Sequence, residues 1–421
     1  MTTPNAAARA ASPPDTTAQG LSPAAARAAL VRLCAASFVA YCSYSICRAP
    51  LLPLFARELG AGPSLVGFVM GASTLTGVFL KLPAGALSDL FGRRRLLLMG
   101  ALVFATLPFT YLAVSTLTAV VFVRFLHGSA TAIFAPVASA SLSDVAPTTK
   151  RGAWLSTYST AQGTGQAIGP ILAGYLIAAG RFDLAFVVSG LIGLGVPFIV
   201  GTWRGAPAST SPRPSFSEFK RGVLEVGSDR LVLITSGAQA AQFVLNGMLN
   251  AFLPLYGREV LNLAASELGW LFGMQTVTTL LVRPAIGRLS DRVGRRAVIV
   301  AGLTTCSLAV YALSLATSLS MVVAVIATYA AGVAITTAAT SAYITDITRR
   351  ARYGAAHGVF GTIYDIGDAL GPIAAGMLVA TIGYARMFRV MATVALVMAL
   401  AFAVSSARHQ SRREPLGSAV R

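Results

Sequence analysis

The chain contains the same pattern twice, as GALSDLFGRR at residues 85–94 and as GRLSDRVGRR at residues 287–296. Each copy ends a long apolar run, and another apolar run follows it. Glycine permits a sharp reversal of the chain, and clustered basic residues keep a loop on the cytoplasmic side of a membrane. The repeated pattern therefore predicts two polar turns, each of which joins a pair of membrane-spanning helices.

The composition of the whole chain indicates a membrane protein. Of its 421 residues, 55% are hydrophobic and only 11% are charged, and the mean hydropathy is +0.70. An ordinary soluble protein has about 25% charged residues, and about 20 apolar residues in a helix cross a membrane. We predict an all-α membrane protein with twelve transmembrane helices at residues 30–54, 64–87, 95–115, 118–145, 152–180, 183–203, 230–257, 266–287, 296–316, 319–346, 353–382 and 385–406.

The basic residues indicate how these helices are oriented. With the N-terminus inside, 24 of the 33 Lys and Arg residues fall on the side of the two termini, and five fall on the other side. Basic loops remain cytoplasmic, so we predict a multi-pass protein of the cell (plasma or inner) membrane with both termini in the cytoplasm. The net charge of +18 then reflects topology and contact with anionic membrane lipid, and we expect no nucleic-acid partner.

A segment rich in Pro and Ser divides the chain into two halves. The predicted units are a disordered cytoplasmic tail (1–29), an N-terminal six-helix bundle (30–204), a cytoplasmic linker (205–229), a C-terminal six-helix bundle (230–406) and a second cytoplasmic tail (407–421). Within the linker, residues 216–226 are compatible with a short amphipathic helix on the membrane surface.

The two halves repeat each other beyond the turn motif. Gly287 follows Gly85 by 202 residues, and the same offset relates Gly67 to Gly269, Asp144 to Asp346, Gly165 to Gly367, Gly169 to Gly371, Pro170 to Pro372 and Gly174 to Gly376. A register kept over this length indicates an internal duplication. Because both halves begin on the same side, they are parallel repeats with pseudo-twofold symmetry, and a cavity is expected between them at mid-membrane.

The turn motif resembles the loop motif of the major facilitator superfamily (MFS), which lies between the second and third helices and again between the eighth and ninth. Residues 124–128 (RFLHG) resemble the intramembrane arginine motif of that family. Residues 165–174 (GQAIGPILAG) resemble the fifth-helix Gly-Pro motif of its drug/proton antiporter-like branch. The resemblance covers about residues 30–406 and implies the MFS fold.

Residues present in both halves are predicted to serve the fold and its gate. Arg93 and Arg295 are placed to reach Asp144 and Asp346 at the inner ends of the fourth and tenth spans, and such pairs would hold the cytoplasmic mouth shut. The other interpretation is that these are solvated loop charges that enforce topology. The predicted gating residues are Gly85, Asp89, Gly92, Arg93, Asp144, Gly287, Asp291, Gly294, Arg295 and Asp346.

Small residues and prolines in the fifth and eleventh spans are assigned to helix packing. Glycine lets helices approach closely in lipid, and proline removes a backbone hydrogen bond and can kink a helix. The residues assigned to this role are Gly165, Gly169, Pro170, Gly174, Gly371 and Pro372.

Ionisable residues found in only one half are the stronger candidates for substrate and proton binding. Such groups are costly within a membrane, so they should face a wet cavity or a partner. Asp365 lies near the midplane and Asp368 lies one turn further on the same helix face, so at least one of these carboxylates is expected to bind a proton. Arg124 is a permanent positive charge, which would either bind an anionic substrate or attract one of the carboxylates. A buried structural pair with Arg124 is the alternative.

Basic side chains at other depths have two interpretations. Arg48 forms a polar stripe with Tyr41 in the first span, but it could equally extend to the outer membrane interface. Lys81 and Arg283 match each other in the repeat and lie near the cytoplasmic ends of their spans. We expect both to extend towards the cytoplasmic interface.

Amide side chains follow the seventh span. Gln239, Gln242 and Asn246 suit the lining of a cavity, and they suit hydrogen bonds between helices equally well. They complete the predicted substrate and proton-coupling site.

Together these features predict a secondary active transporter that works by alternating access. The sequence has no nucleotide-binding loop, nucleophile motif or metal-ligand cluster, so we predict no enzyme activity and no metal or other cofactor. The first interpretation is proton-coupled efflux of a small lipophilic compound or drug by a monomer, through a largely apolar cavity. The second is uptake or exchange of a small organic anion or metabolite at Arg48 and Arg124. A non-transporting receptor on the same fold is the third.

Overall fold

A computed structural model of the chain describes residues 22–203, 216–349 and 352–411, without the side chains at 82–83, 85–86, 89–90, 216–220 and 408–411. The described residues are almost entirely α-helical. The helices are α1 (Pro23–Ile46), α2 (Leu51–Glu58), α3 (Pro63–Phe91), α4 (Arg93–Thr110), α5 (Leu117–Val145), α6 (Arg151–Ala178), α7 (Phe182–Gly201), α8 (Phe216–Gly227), α9 (Arg230–Glu259), α10 (Ala265–Val293), α11 (Arg295–Leu313), α12 (Leu319–Ile347) and α13 (Tyr353–Ser411).

The twelve predicted spans can all be found among these helices. Within the described residues, nine segments are both long and apolar enough to cross a membrane. The helices α6 and α10 are also long enough, but polar side chains lower their hydropathy. The twelfth span is accounted for by α13, which holds two spans that meet at Gly383. The φ of 77° at this residue interrupts the helix. The first predicted span is α1 followed by α2, with a turn between them.

Two boundaries differ from the sequence-based expectation. The helix α1 begins at Pro23, where the Ser22 side chain accepts a hydrogen bond from the backbone of Ala25, so the helix extends into the segment predicted as a tail. Proline at the start of a helix and serine before it are both favourable there. At the other end, α13 continues to Ser411, past the predicted end of the last span. Residues 1–21 and 412–421 of the predicted tails lie outside the described residues.

The helices form two bundles that meet along four helices. In the N-terminal bundle α1 packs on α6 and α7, and α3 packs on α5; in the C-terminal bundle α9 packs on α13, and α11 packs on α12. Between the bundles, α3 packs on α13 and α6 packs on α10. The repeat relates α3 to α10 and α6 to the first half of α13, so these two contacts are equivalent under the pseudo-twofold symmetry.

The two bundles touch each other closely at one of their ends. We call the end with the turns at Gly92 and Gly294 the motif end, and the other the opposite end. At the opposite end a Cβ at Gly376 would lie 2.6 Å from Pro63 O, and one at Gly174 would lie 2.6 Å from Ala265 O. The backbones of the two bundles are therefore in direct contact at the opposite end.

The linker helix α8 belongs to the C-terminal bundle. Its Val226 packs with buried residues of α9, α12 and α13, among them Ile344 and Phe360. An ion pair between Arg352 Nη2 and Glu225 Oε2, at 2.6 Å, adds a polar contact. The linker segment is thus helical where the sequence allowed an amphipathic helix, and it is fixed at the motif end.

Candidate functional site

A cavity of 450 Å³ lies between the two bundles. Side chains of α1, α3 and α6 line it on one side, and side chains of α9, α10 and α13 line it on the other. Six of the eight residues predicted to bind substrate or protons lie in its wall: Tyr41, Arg48, Gln242, Asn246, Asp365 and Asp368. The duplication therefore produces the central cavity that the parallel repeats predict.

Two ion pairs cross this cavity from one bundle to the other. Arg48 Nη2 lies 2.9 Å from Asp368 Oδ2, and Lys81 Nζ lies 2.5 Å from Asp365 Oδ2. Both cations belong to the N-terminal bundle and both carboxylates belong to α13. The side chains of Arg48 and Lys81 are 29% and 36% exposed, whereas those of Asp368 and Asp365 are only 8% and 6% exposed. All four residues line the cavity, and the cations present more of their surface there than the carboxylates do.

The two carboxylates have different surroundings. Asp368 also accepts a hydrogen bond from Asn246 Nδ2 at 3.0 Å and one from Thr74 Oγ1 at 3.2 Å. The hydrogen bond described at Asp365 comes from Lys81. Asp368 is therefore held in place by several donors, whereas the interactions of Asp365 centre on one ammonium group.

Close helix packing fixes the face of α13 that carries these carboxylates. A Cβ at Gly367 would overlap the carbonyl of Ala240, and one at Gly371 would overlap the carbonyl of Val244. The equivalent contact in the other half joins α6 to α1, where a Cβ at Gly169 would lie 2.7 Å from Cys42 O. Because these glycines admit the neighbouring backbone, α13 cannot rotate freely against α9.

The cavity is more polar than the sequence suggested. Its wall includes the side chains of Gln162, Gln166 and Gln275 in addition to the charged groups, so the expected largely apolar cavity is wrong. The amides come from α6 and α10, the two spans with too little hydropathy to stand out as membrane helices. Their polar residues are costly in lipid and face the water-accessible interior instead.

An aromatic surface lies beside the charged groups. The rings of Tyr364 and Phe243 stack with their centroids 4.5 Å apart, and Lys81 Nζ lies 5.9 Å from the Tyr364 centroid. Both rings line the cavity. A ligand in the cavity can therefore meet an apolar wall and charged groups at the same time.

The sequence interpretation missed Lys81. We expected this side chain to extend to the cytoplasmic interface, but it forms an ion pair with Asp365 in the cavity. The helix α3 extends to Phe91, beyond the predicted end of that span, so Lys81 lies within the body of the helix and not near its end. The unmatched carboxylates on α13 were the signal that a cation from the other half was needed.

Arg124 lies outside the cavity wall. Its side chain is fully buried, and its guanidinium carbon lies 5.4 Å from the centroid of Tyr44. Within the described part of the chain, none of its guanidinium nitrogens has a hydrogen-bond partner of ordinary geometry. Arg48 and Lys81 hold the two carboxylates, so the alternative of an Arg124–aspartate pair is wrong. Arg124 reaches the cavity through Tyr44, which does line it.

The amides of α9 serve both of the roles left open by the sequence: all three hydrogen-bond to neighbouring helices, and two of them also line the cavity. Gln239 is buried and bonds to Gln242 at 2.9 Å and to Thr340 of α12, which is the interhelical role. Gln242 and Asn246 lie in the cavity wall.

The repeated turn motifs form ion pairs inside each bundle. Arg93 Nε lies 2.5 Å from Asp144 Oδ2, and Arg295 lies 2.5 Å from Asp291 and 3.0 Å from Asp346. The turn glycines have φ of 90° at Gly92 and 97° at Gly294, values that favour glycine. The described pairs therefore join neighbouring helices of one bundle. Gly287 lies in open space at the same end, and the side chains at positions 85 and 89 lie outside the description.

Comparisons with known proteins give the family. The family model of the Major Facilitator Superfamily matches residues 33–264 and 235–420. An uncharacterized MFS-type transporter of Methanocaldococcus jannaschii is 26% identical over 356 residues, which cover 84% of this chain and 92% of the relative. The multidrug resistance protein MdtG of Citrobacter koseri is 26% identical over 391 residues, which cover 88% of this chain and 92% of the relative.

A solved structure supports the same assignment of the fold. The inward-facing, occupied crystal structure of a bacterial homologue of the human lysosomal transporter Spinster has a TM-score of 0.75 at 17% identity, and the match covers 90% of this chain and 96% of that one. These findings confirm the predicted family and the predicted all-α fold of twelve helices in two bundles. The chain belongs to the Major Facilitator Superfamily and is a multi-pass membrane transporter.

Proposed function

We propose that this transporter exports a small, drug-sized molecule in exchange for protons, with the central cavity as the substrate site and Asp365 as the proton site. The observation that carries the proposal is the pair of ion pairs, Arg48–Asp368 and Lys81–Asp365, that cross the cavity from one bundle to the other. Ionisable groups inside a membrane protein typically mark ion pathways and proton relays.

Contacts at the opposite end support transport by alternating access. The backbones of the two bundles touch there, and the ion pair between Arg57 and Glu259 joins them at the same end. The distribution of basic residues assigns the motif end to the cytoplasm. On that assignment, the bundles are closed towards the outside in this state, and they must separate at the opposite end to release a substrate.

Proton exchange requires that proton and substrate bind alternately. Asp365 is the better proton site because its described hydrogen bond comes from Lys81 alone, whereas Asp368 is held by Arg48, Thr74 and Asn246. A proton on Asp365 removes the charge that attracts Lys81 and weakens this link between the bundles. A substrate in the cavity would favour the ionised form of Asp365, so that proton and substrate bind in turn.

Export of a drug-sized molecule is supported by the relatives and by the cavity wall. MdtG is named as a multidrug resistance protein. An apolar substrate body would contact Phe243, Phe272 and Tyr364, which line the cavity. The polar side chains around them call for polar groups on the substrate as well, so we extend the lipophilic class to amphipathic molecules.

The test is transport by the purified protein in proteoliposomes with an imposed pH gradient. The panel contains lipophilic cations, neutral drugs, organic anions and zwitterions, and the wild type is compared with Asp365→Asn. We expect the wild-type protein to accumulate a panel compound only when the proton gradient drives protons in the opposite direction. Asp365→Asn should lose this accumulation. Equal accumulation with and without the gradient would contradict proton coupling.

A second function is favoured by the exposure of the cavity charges. The charges that can be reached are those of Arg48 and Lys81, and both would attract an organic anion. Protonation of a carboxylate would release its cation, so proton and anion would bind together and be taken up together. Accumulation of an organic anion along an inward proton gradient would identify this function in place of export.

A further inference from the structure

We propose that the substrate is a zwitterion whose anionic group binds Arg48 and whose cationic group binds Asp368. This inference rests on the proposed function and names the class of molecule that the same site takes. It starts from the charges that the described residues bring together across the cavity: the cations Arg48 and Lys81 from the N-terminal bundle, and the carboxylates Asp365 and Asp368 from the C-terminal bundle.

A substrate with a single charge would leave a cavity group without a partner. A cation that reaches Asp368 must displace Arg48 and then lies beside the released guanidinium group. An anion that binds Arg48 leaves Asp368, which is only 8% exposed, without its counter-charge. Removal of one partner from a buried ion pair is strongly unfavourable. A zwitterion exchanges partners with the pair, so every charge remains compensated.

The Arg48–Asp368 pair suits this exchange better than the Lys81–Asp365 pair. A guanidinium group presents a planar set of donors that matches a carboxylate. Asn246 and Thr74 also donate to Asp368, at 3.0 Å and 3.2 Å, so the carboxylate stays oriented when Arg48 turns to the substrate. The Lys81–Asp365 pair is then left as the proton site, which binds its proton when the substrate has left the cavity.

The aromatic residues and the volume of the cavity indicate the size and polarity of the rest of the substrate. Tyr364 and Phe243 form a stacked aromatic surface in the cavity wall, on the same helices as Asp368 and Asn246. The cavity volume of 450 Å³ lies within the usual range for small-molecule sites, about 300–1,000 Å³. The ligand class is therefore a small zwitterion with an aromatic or apolar body.

The test uses three probes that share one body and differ in charge: phenylalanine, phenylalanine amide and N-acetylphenylalanine. At pH 6 these are a zwitterion, a cation and an anion, because the α-amino group of the amide is then protonated. Binding to the purified full-length protein is measured by thermal shift, and exchange is measured by counterflow in proteoliposomes without a pH gradient. We expect phenylalanine to bind and exchange about tenfold better than either analogue, because only the zwitterion leaves no cavity charge unpaired.

Matched variants locate the effect. Arg48→Gln and Asp368→Asn should each abolish the preference for phenylalanine over its analogues. Asp183→Asn, which removes the partner of Arg181 at the opposite end and outside the cavity wall, should keep that preference.

The outcomes separate this inference from the proposed function. The inference would be overturned if the amide bound better than phenylalanine. It would also be overturned if another class of the panel were exchanged and phenylalanine did not bind. Proton-coupled export would stand in both cases. Uptake of N-acetylphenylalanine along an inward proton gradient would overturn both. If no compound responds to a pH gradient, proton-coupled export fails, and the thermal shifts of the three probes still decide the inference.

Discussion

Arg57 Nε lies 2.8 Å from Glu259 Oε1, and this ion pair joins the two bundles at the opposite end. The two residues come from corresponding segments of the repeat, LPLFARE at residues 52–58 and LPLYGRE at residues 253–259. The arginine of the first copy thus binds the glutamate of the second. All four charged residues of the two copies, including Glu58 and Arg258, line a second cavity of 430 Å³ between the bundles. This arrangement makes the duplicated segment a candidate for the outer gate.

Loss of the Arg57–Glu259 pair should favour the state that is open at the opposite end. We expect Glu259→Gln to widen the distance between spin labels at Ala178 and Val260, which are exposed there on different bundles. Arg57 and Glu259 are 46% and 29% exposed, so the shift in population should not exceed about fivefold, in line with roughly 1 kcal/mol for an exposed pair. Double electron–electron resonance measures the distance distribution.

The matched control for this gate is Asp183→Asn. Asp183 pairs with Arg181 at 3.0 Å at the same end, but within one bundle. The control should leave the label distances unchanged, whereas the double variant Arg57→Glu/Glu259→Arg should restore the wild-type distribution. A similar widening in Glu259→Gln and Asp183→Asn would exclude a specific gate.

Neutralisation of the proton site should separate driven transport from exchange. Asp365→Asn should abolish accumulation driven by a pH gradient and retain counterflow, because a side chain that is permanently uncharged cannot alternate between two protonation states. Asp368→Asn should lose both, since it also removes the partner of Arg48. Both activities are measured in the same proteoliposome preparation. Full driven transport by both variants would rule out this pair of carboxylates as the coupling site.

The ion pairs of the turn motif should matter for transport more than for membrane insertion. We expect Asp346→Asn and Asp144→Asn to lower the initial rate of transport several-fold at normal membrane levels, because each removes a contact of Arg295 or Arg93 with the neighbouring helix. The same result is expected for Asp89→Asn from its place in the motif. Arg95→Gln is the control within the basic turn, and equal rates in all four variants would leave these residues as topology determinants.

Much of the fold followed from periodic properties of the sequence. The length of the apolar runs and the 202-residue offset between Gly85 and Gly287 predict the twelve helices and the central cavity. The two carboxylates Asp365 and Asp368 stood out because their counterparts in the other half are uncharged. Span length, repeat offset and unmatched charges can be read from the sequence, because each depends on a single helix or on a comparison of the two halves.

The partners of those carboxylates could not be obtained in the same way. Whether Lys81 or Arg124 meets Asp365 depends on the rotation of α3 against α13 and on the real length of α3, which are tertiary properties. The sequence placed Arg124 in a span but gave no indication that its helix turns it into the N-terminal bundle. Likewise, Gln239 and Gln242 are three residues apart, yet only Gln242 lines the cavity.

The close contact between α13 and α9 should be sensitive to a single methyl group. In Gly371→Ala the new Cβ would overlap the backbone carbonyl of Val244, so we expect a loss of about 1–3 kcal/mol in the free energy of unfolding. Gly287→Ala is the matched control, because nothing lies within 4 Å of that position. Thermal or denaturant unfolding in detergent measures both. A Gly371→Ala protein as stable as Gly287→Ala would show that the two helices can move apart freely.

Arg124 and Arg48 should respond in opposite ways to replacement by methionine. Arg48→Met leaves Asp368 without its counter-charge and should lower the melting temperature in detergent. Arg124→Met removes a buried charge that lies beside the Tyr111 hydroxyl and against the face of Tyr44, a cation–π interaction that contributes about 0.5–2 kcal/mol. Burial of an uncompensated charge costs more than that, so Arg124→Met should melt at the wild-type temperature or above it.

The same Arg124→Met protein should nevertheless transport poorly. Tyr44 lines the cavity and lies against the guanidinium group, so loss of that group frees the ring and disturbs the substrate site. We expect a rise in KM for a panel substrate together with unimpaired thermal stability, measured on one preparation. A fall in melting temperature as large as that of Arg48→Met would mean that Arg124 has a charged partner in the protein, and its role would then be structural.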